Sequence, residues 1–198
     1  MFLQIMYGKV ADEGLLRKQM DVWRQEFKND AVGYLGSTSG FTDDGHFVAL
    51  ARFESADAAR ANSSRPEQGE WWEAMASAFE GDVEFTDCEE VDLIHEGGSD
   101  DAGFVQIMKG RAVDPEKLRS AADAMETDMT EARPDVVGVV VGWHGDREFT
   151  QAVYFSSEEE ARKAEAVEGD SDDAADDAWR ALIDGELAFI DLHEPMFD

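Results

Sequence analysis

Two glutamines, an asparagine, two arginines and a tryptophan are the side chains of this sequence best placed to do chemistry. Gln4 and Gln106 each interrupt an apolar run, Phe2-Leu3-Gln4-Ile5-Met6-Tyr7-Gly8 and Phe104-Val105-Gln106-Ile107-Met108-Lys109-Gly110. A buried amide must find hydrogen-bond partners, so the pair either lines a polar cavity or is bonded structurally in the core. Trp72 lies beside the apolar stripe of Trp71, Met75 and Phe79. There it either walls a ligand pocket or rests half-buried at a helix edge. Asn62 and Arg65 belong to Asn62-Ser63-Ser64-Arg65-Pro66-Glu67-Gln68-Gly69, a polar break in a helical pattern. Such irregular segments carry ligand contacts or simply connect helices. Arg52 alternates with Val48 and Leu50. It is either a solvent-facing strand end, as arginines usually are, or an inward cation for an anionic or phenolate ligand. Together these residues could line a partly polar, partly aromatic ligand pocket.

Other chemistries lack their spacing. His46, His95, His144 and His193 show neither H-x-x-x-H nor HExxH, and Cys88 is the only cysteine. No metal site and no internal disulfide are therefore expected. G-x-S-x-G, Walker and dinucleotide fingerprints are missing as well. Asp87 and Asp191 stand near the ends of matching strands, where capping explains them as well as catalysis does.

The elements that position these residues occur twice. Phe2–Gly8 returns as Phe104–Gly110, an offset of 102 residues. Leu16, Met20, Trp23 and Phe27 form one helical stripe, repeated as Leu118, Ala122, Met125 and Met129. Asp114 before Pro115 marks a helix start, and Asp12 marks the first copy's. Val32–Gly36 aligns with Val137–Val141 at an offset of 105, which implies three residues gained before that strand. Phe47–Phe53 returns at 102 as Phe149–Phe155, so the following hairpin should lose three. Ser55 and Ser157 cap a second helix, which Arg65-Pro66 should break in the first copy. At an offset of 104, Trp71 and Trp72 align with Ala175 and Asp176. Gly81–Asp87 and Gly185–Asp191 close each copy as a final strand.

Each copy thus reads β-α-β-β-α-β, the ferredoxin-like unit, with helices on one face of an antiparallel sheet. The class is α+β. The expected domains are residues 1–95 and 104–198, joined by a Gly, Ser and Asp linker at 96–103. Val91–Ile94 suits a short extra strand. The wholly apolar Leu3/Ile5 and Val105/Ile107 sets suit the helix-packed face, leaving the Gln4 and Gln106 face to point inside a barrel.

Composition bounds the partners. Hydrophobic residues make up 43%, enough for two cores, and 46 acidic against 17 basic residues give −29. The first 101 residues carry 8 basic and 22 acidic groups, the remainder 9 and 24. Neither copy is a basic module, so nucleic acid and anionic membrane are not expected partners. With no signal-peptide pattern and no apolar span, a cytoplasmic protein is expected.

Phe53-Glu54-Ser55-Ala56-Asp57-Ala58-Ala59-Arg60, together with the tandem β-α-β-β-α-β order, resembles the dimeric α+β barrel superfamily, in particular its antibiotic-biosynthesis monooxygenases. The resemblance runs once through each copy and is similar to tandem actinobacterial members of unassigned function. It implies an intramolecular pseudo-dimeric barrel and hence a monomer. It also implies cofactor-independent, monooxygenase-like chemistry on an apolar, aromatic or polyketide-like substrate that itself supplies electrons to O₂. No cofactor is expected. Haem degraders of the superfamily resemble a pattern with Asn on strand one and His on the second helix; Gln4, Gln106 and histidine-free second helices depart from it. The alternatives are a non-catalytic small-molecule-binding or stress-responsive barrel, and a barrel filled by its own side chains. Since the copies differ most at the second helix, the larger cavity is expected in the first copy, lined by Gln4, Trp72 and residues 62–69.

Overall fold

The computed structural model describes residues 1–95, 97–169 and 178–198, without the side chains of 125–132 and 167–169. Ala175 and Asp176, and the side chains of Met125 and Met129, lie outside the described residues. The chain forms two compact units, Met1–Glu90 with Met196–Asp198, and Val91–Pro195.

The first unit is built from β1 (Phe2–Lys9), α1 (Glu13–Val22), β2 (Tyr34–Phe41), β3 (His46–Phe53), α2 (Ala56–Ser63), α3 (Pro66–Ala76) and β4 (Glu84–Cys88). The second repeats the order. Its elements are β5 (Glu90–Ile94), β6 (Phe104–Arg111), α4 (Pro115–Ala132), β7 (Val136–His144), β8 (Glu148–Phe155), α5 (Glu158–Gly169) and β9 (Ala188–Leu192). Last comes β10 (Met196–Phe197), which pairs with β2 of the first unit. The helices start where their caps dictate: Asp12 accepts from the Leu15 amide at 2.9 Å, and Ser55 from that of Ala58 at 3.1 Å. Arg65, extended before Pro66, separates α2 from α3.

The sheet orders are β10-β2-β3-β1-β4 and β5-β7-β8-β6-β9. They are two open five-stranded sheets rather than the closed barrel expected. Each β-α-β-β-α-β unit supplies four strands. The fifth, β10 or β5, takes the free edge beside the second strand. The short extra strand at Val91–Ile94 is thus present as β5.

Two expectations are corrected. The 105 offset is wrong, because Tyr34 pairs with Phe53 just as Val136 pairs with Phe155, at 102 throughout. Both strands carry a bulge, between Tyr34 and Gly36 and between Val136 and Gly138, and the apolar runs around it align equally well out of register. The faces are also exchanged. Met6 packs with Leu16, Met20 and Met75, so the Gln4 face is the helix-covered one. Leu3, Ile5, Val48 and Leu50 on the other face are buried too. With both faces withdrawn from water, alternation of apolar and polar residues no longer marks which face the helices cover.

Gly8 and Gly110 recur where side chains crowd the backbone. A Cβ at Gly8 would lie 2.7 Å from Phe79, and one at Gly110 2.5 Å from Leu187 and 2.9 Å from Phe149.

Even with every Lys and Arg paired, 29 carboxylates have no basic partner, since 46 face 17. The melting temperature should rise with added NaCl, because screening shortens the repulsion from about 30 Å at about 0.01 M to about 3 Å at about 1 M. A flat melting curve against salt would contradict this. Burial, followed by the Asp87 charge, pushes the Cys88 thiol up to about 12. The unfolded thiol ionises first as pH rises, so this group's contribution to stability is whole below its ordinary pKa and is lost between there and about 12. Native protein should resist iodoacetamide at pH about 8 and react once unfolded; rapid native labelling would show that the thiol is accessible. Among the described residues, no helix is long and apolar enough to cross a membrane.

Candidate functional site

Between sheet and helices of the first unit lies a cavity of about 410 Å³. Its floor comes from residues of four strands, including Gln4 and Met6 of β1, Ala49 and Ala51 of β3 and Phe85 of β4. The β2 bulge matters here. Tyr34 would face away from Ser37 and Ser39 in a regular strand, but the extra residue at the bulge brings all three to the cavity. Gly36, at φ +127°, supplies the backbone conformation. The roof comes from α1, α2 and α3. After Val22 the first helix widens into one π turn, Trp23–Phe27, and Trp23 lines the cavity. Trp71, Trp72 and Met75 descend from α3.

Of the residues expected from sequence, Gln4, Asn62 and Trp72 meet in this cavity. Gln4 Nε2 donates to Asp87 Oδ1 at 2.9 Å, across the β1–β4 register. The second unit repeats the pair: Gln106 Nε2 donates to Asp191 Oδ1 at 3.0 Å. The two symmetric aspartates therefore hold the two symmetric glutamines. Asn62 is buried, and its Oδ1 accepts from Arg65 Nη1 at 3.3 Å. Trp72 meets Phe85 edge-on, with centroids 5.2 Å apart.

Arg65 and Arg52 do not line the cavity. Arg65 braces the helix break: it donates to the Asp30 carbonyl at 3.0 Å and pairs with Glu67 at 2.9 Å. Arg52 follows Val48 and Leu50 onto the opposite face. Its guanidinium closes on Gly36, where a Cβ would lie 3.0 Å from Nη2.

Tyr34, Ser39, Gln68 and Asp198 are among the cavity residues that the sequence does not single out as candidates. The Tyr34 hydroxyl, Ser39 Oγ and Gln68 Oε1 are buried without a hydrogen-bond partner. Burial raises the Tyr34 phenol well above its ordinary pKa, so it stays a protonated donor. Ser37 opposes that rise but does not meet hydrogen-bonding geometry at the hydroxyl. Asp198 arrives with β10. Its carboxylate, 8% exposed, accepts from Arg24 Nε at 2.6 Å, while its backbone exchanges two hydrogen bonds with Ser37 at 2.9 and 3.0 Å. The bulge that delivers Tyr34 and the distant pairing that delivers Asp198 leave no local pattern to read. Gln68 stood inside the polar break, unremarked among its neighbours.

The second unit encloses about 940 Å³, so the expected order of sizes is reversed. Val136 replaces Tyr34 and Ala122 replaces Met20 on its lining, which removes side-chain volume. Its polarity is also different. Val139 and Val141 stand where Ser37 and Ser39 do, and charged pairs stand at the walls instead. Asp92 of β5 accepts from Trp143 Nε1 at 2.6 Å and from Arg119 Nε at 2.9 Å, with the Arg119 guanidinium 4.5 Å over the Trp143 ring. Arg162 pairs with Asp191 and Glu165. Among the described residues lining it, no buried side-chain polar atom lacks a partner. Nor, among the described residues, do three His, Cys, Asp or Glu side chains converge as metal ligands.

No protein-family model matches the chain, and no curated protein matches its sequence. Solved structures do match its fold from end to end. A provisionally named monooxygenase of Lactobacillus acidophilus NCFM aligns with TM-score 0.70 at 13% identity, over 99% of this chain and 98% of that one. An anthrone oxidase-like protein aligns at 0.58 and 12% identity, over 100% and 92%. A major regulator of staphylococcal pathogenesis aligns at 0.58 and 11% identity, over 98% and 99%. At such identities the likeness is one of fold, and the α+β fold expected from the monooxygenase resemblance is shared along the whole chain.

Proposed function

We propose that this protein is a monooxygenase-like enzyme of the cofactor-independent type, acting on an apolar, ring-bearing small molecule held in the first unit. The observation that carries the reading is a cavity of ligand size, walled by Trp23, Trp71, Trp72 and Phe85, in which three buried polar atoms have no protein partner. Its full-length likeness to a provisionally named monooxygenase and to an anthrone oxidase-like protein supports the reaction type. In such chemistry the substrate reduces O₂. The protein's share is to exclude water, orient the ring and stabilise the developing oxyanion, here from the Tyr34 and Ser39 hydroxyls. The chain works as a monomer, its charge of −29 opposing association.

Anthrone tests the reading. Oxidation by O₂ gives anthraquinone and water: anthrone gives up both electron pairs, and O₂ takes all four electrons, one of its oxygen atoms entering the quinone and the other leaving as water. Enzyme should raise O₂ uptake and anthraquinone formation above the spontaneous rate, and Trp72→Ala should remove most of the gain. Tight binding of anthrone without turnover would favour the second reading, a non-catalytic binding protein. That reading has its own support, because a staphylococcal regulator carries the same fold.

A further inference from the structure

We propose that Tyr34, Ser39 and Gln68 are the specificity determinants of the first unit's cavity. They select a ring compound that brings an acceptor oxygen to the two hydroxyls of the strand and a donor to the Gln68 amide oxygen, and they discriminate against a hydrocarbon of the same shape. The proposal rests on the reading of this cavity as the ligand site.

The hydrogen-bond inventory leads to it. Most polar atoms around the cavity are engaged. The Gln4 amide donates to Asp87, Asn62 Oδ1 accepts from Arg65, the Trp71 N–H donates to the Gln19 carbonyl at 2.8 Å, and Asp198 is held by Arg24. Buried polar groups in native proteins are almost always bonded, so those left over call for an explanation. Here the leftovers are two hydroxyls on β2 and one amide oxygen on α3. Ser39 is 2% exposed and Gln68 9%, so bulk water does not serve them. The hydroxyls can donate to a carbonyl oxygen; the amide oxygen can only accept, and so requires an O–H or N–H from the ligand.

The fold itself does not require these hydroxyls. The second unit has the same bulged strand, with Val136 and Val141 at the positions of Tyr34 and Ser39. It closes its sheet pairing without them. They are therefore costs to the first unit that a ligand would relieve. A site built to hydrogen-bond its ligand rejects an analogue lacking those groups far more strongly than an apolar pocket rejects a change of shape.

Four bicyclic probes of one shape separate the roles: hydroxytetralone with its ketone and phenol at opposite ends, tetralone, tetrahydronaphthol and tetralin. Calorimetric titration of the whole chain should show hydroxytetralone binding at least about tenfold more tightly than tetralin. Tyr34→Phe and Ser39→Val should weaken the two ketones and leave tetrahydronaphthol unchanged. Gln68→Met should weaken the two phenols and leave tetralone unchanged. Melting temperatures should stay level or rise, since each change removes an unsatisfied group. Equal affinity of the wild type for tetralin and hydroxytetralone would overturn the proposal while leaving the cavity as the ligand site. Variants that lose all four probes alike would overturn it too. If the wild type binds none of the four, the cavity is not the ligand site and both readings fall together.

Discussion

Trp71→Ala should destabilise the protein by about 3–5 kcal/mol, whereas Trp72→Ala should cost much less and act mainly on ligand binding. Both rings line the cavity, and both pack against the first unit's core. They differ in what else they hold. The Trp71 N–H donates to the Gln19 carbonyl at 2.8 Å, tying α3 to α1, and its ring approaches Phe27 at 6.4 Å. Truncation would leave a cavity at a helix–helix contact and remove that bond. Trp72 leans instead on Phe85, which is 49% exposed. Its loss opens the rim of the cavity more than the core. Chemical unfolding monitored by circular dichroism, with calorimetric titration of hydroxytetralone, separates the two effects. Equal destabilisation by both substitutions, with binding untouched, would make Trp72 an ordinary core residue.

The parts legible in the sequence are those written by local, repeated patterns. The 102-residue repeat, the caps at Asp12 and Ser55 and the break at Arg65-Pro66 each depend on a few neighbouring residues, and each has its counterpart in the structure. Gln4 and Gln106 stood out because an amide in an apolar run is conspicuous. Their partners, Asp87 and Asp191, were also visible as a symmetric pair, and aligning the two pairs would have joined them. The rest depends on features without a local pattern. A bulge turns Tyr34 to the same face as Ser39, and the same bulge hides the true register of the second strand. Burial on both faces of each sheet removes the alternation that would have placed the helices on the Gln4 side. Asp198 reaches the cavity through a strand pairing with β2, more than 150 residues away in sequence. Arg52 and Arg65 drew attention as cations near polar segments. Neither lines the cavity: the Arg52 guanidinium lies beside Gly36, and Arg65 donates to the Asp30 carbonyl at the helix break.

A crystal structure of the protein with hydroxytetralone tests the central claim most directly. The ligand should lie in the first unit, against Trp72, with its ketone oxygen within about 3 Å of the Tyr34 or Ser39 hydroxyl and its phenol at Gln68 Oε1. Ligand found only in the larger cavity of the second unit, among Trp143, Trp179 and Arg119, would contradict the account.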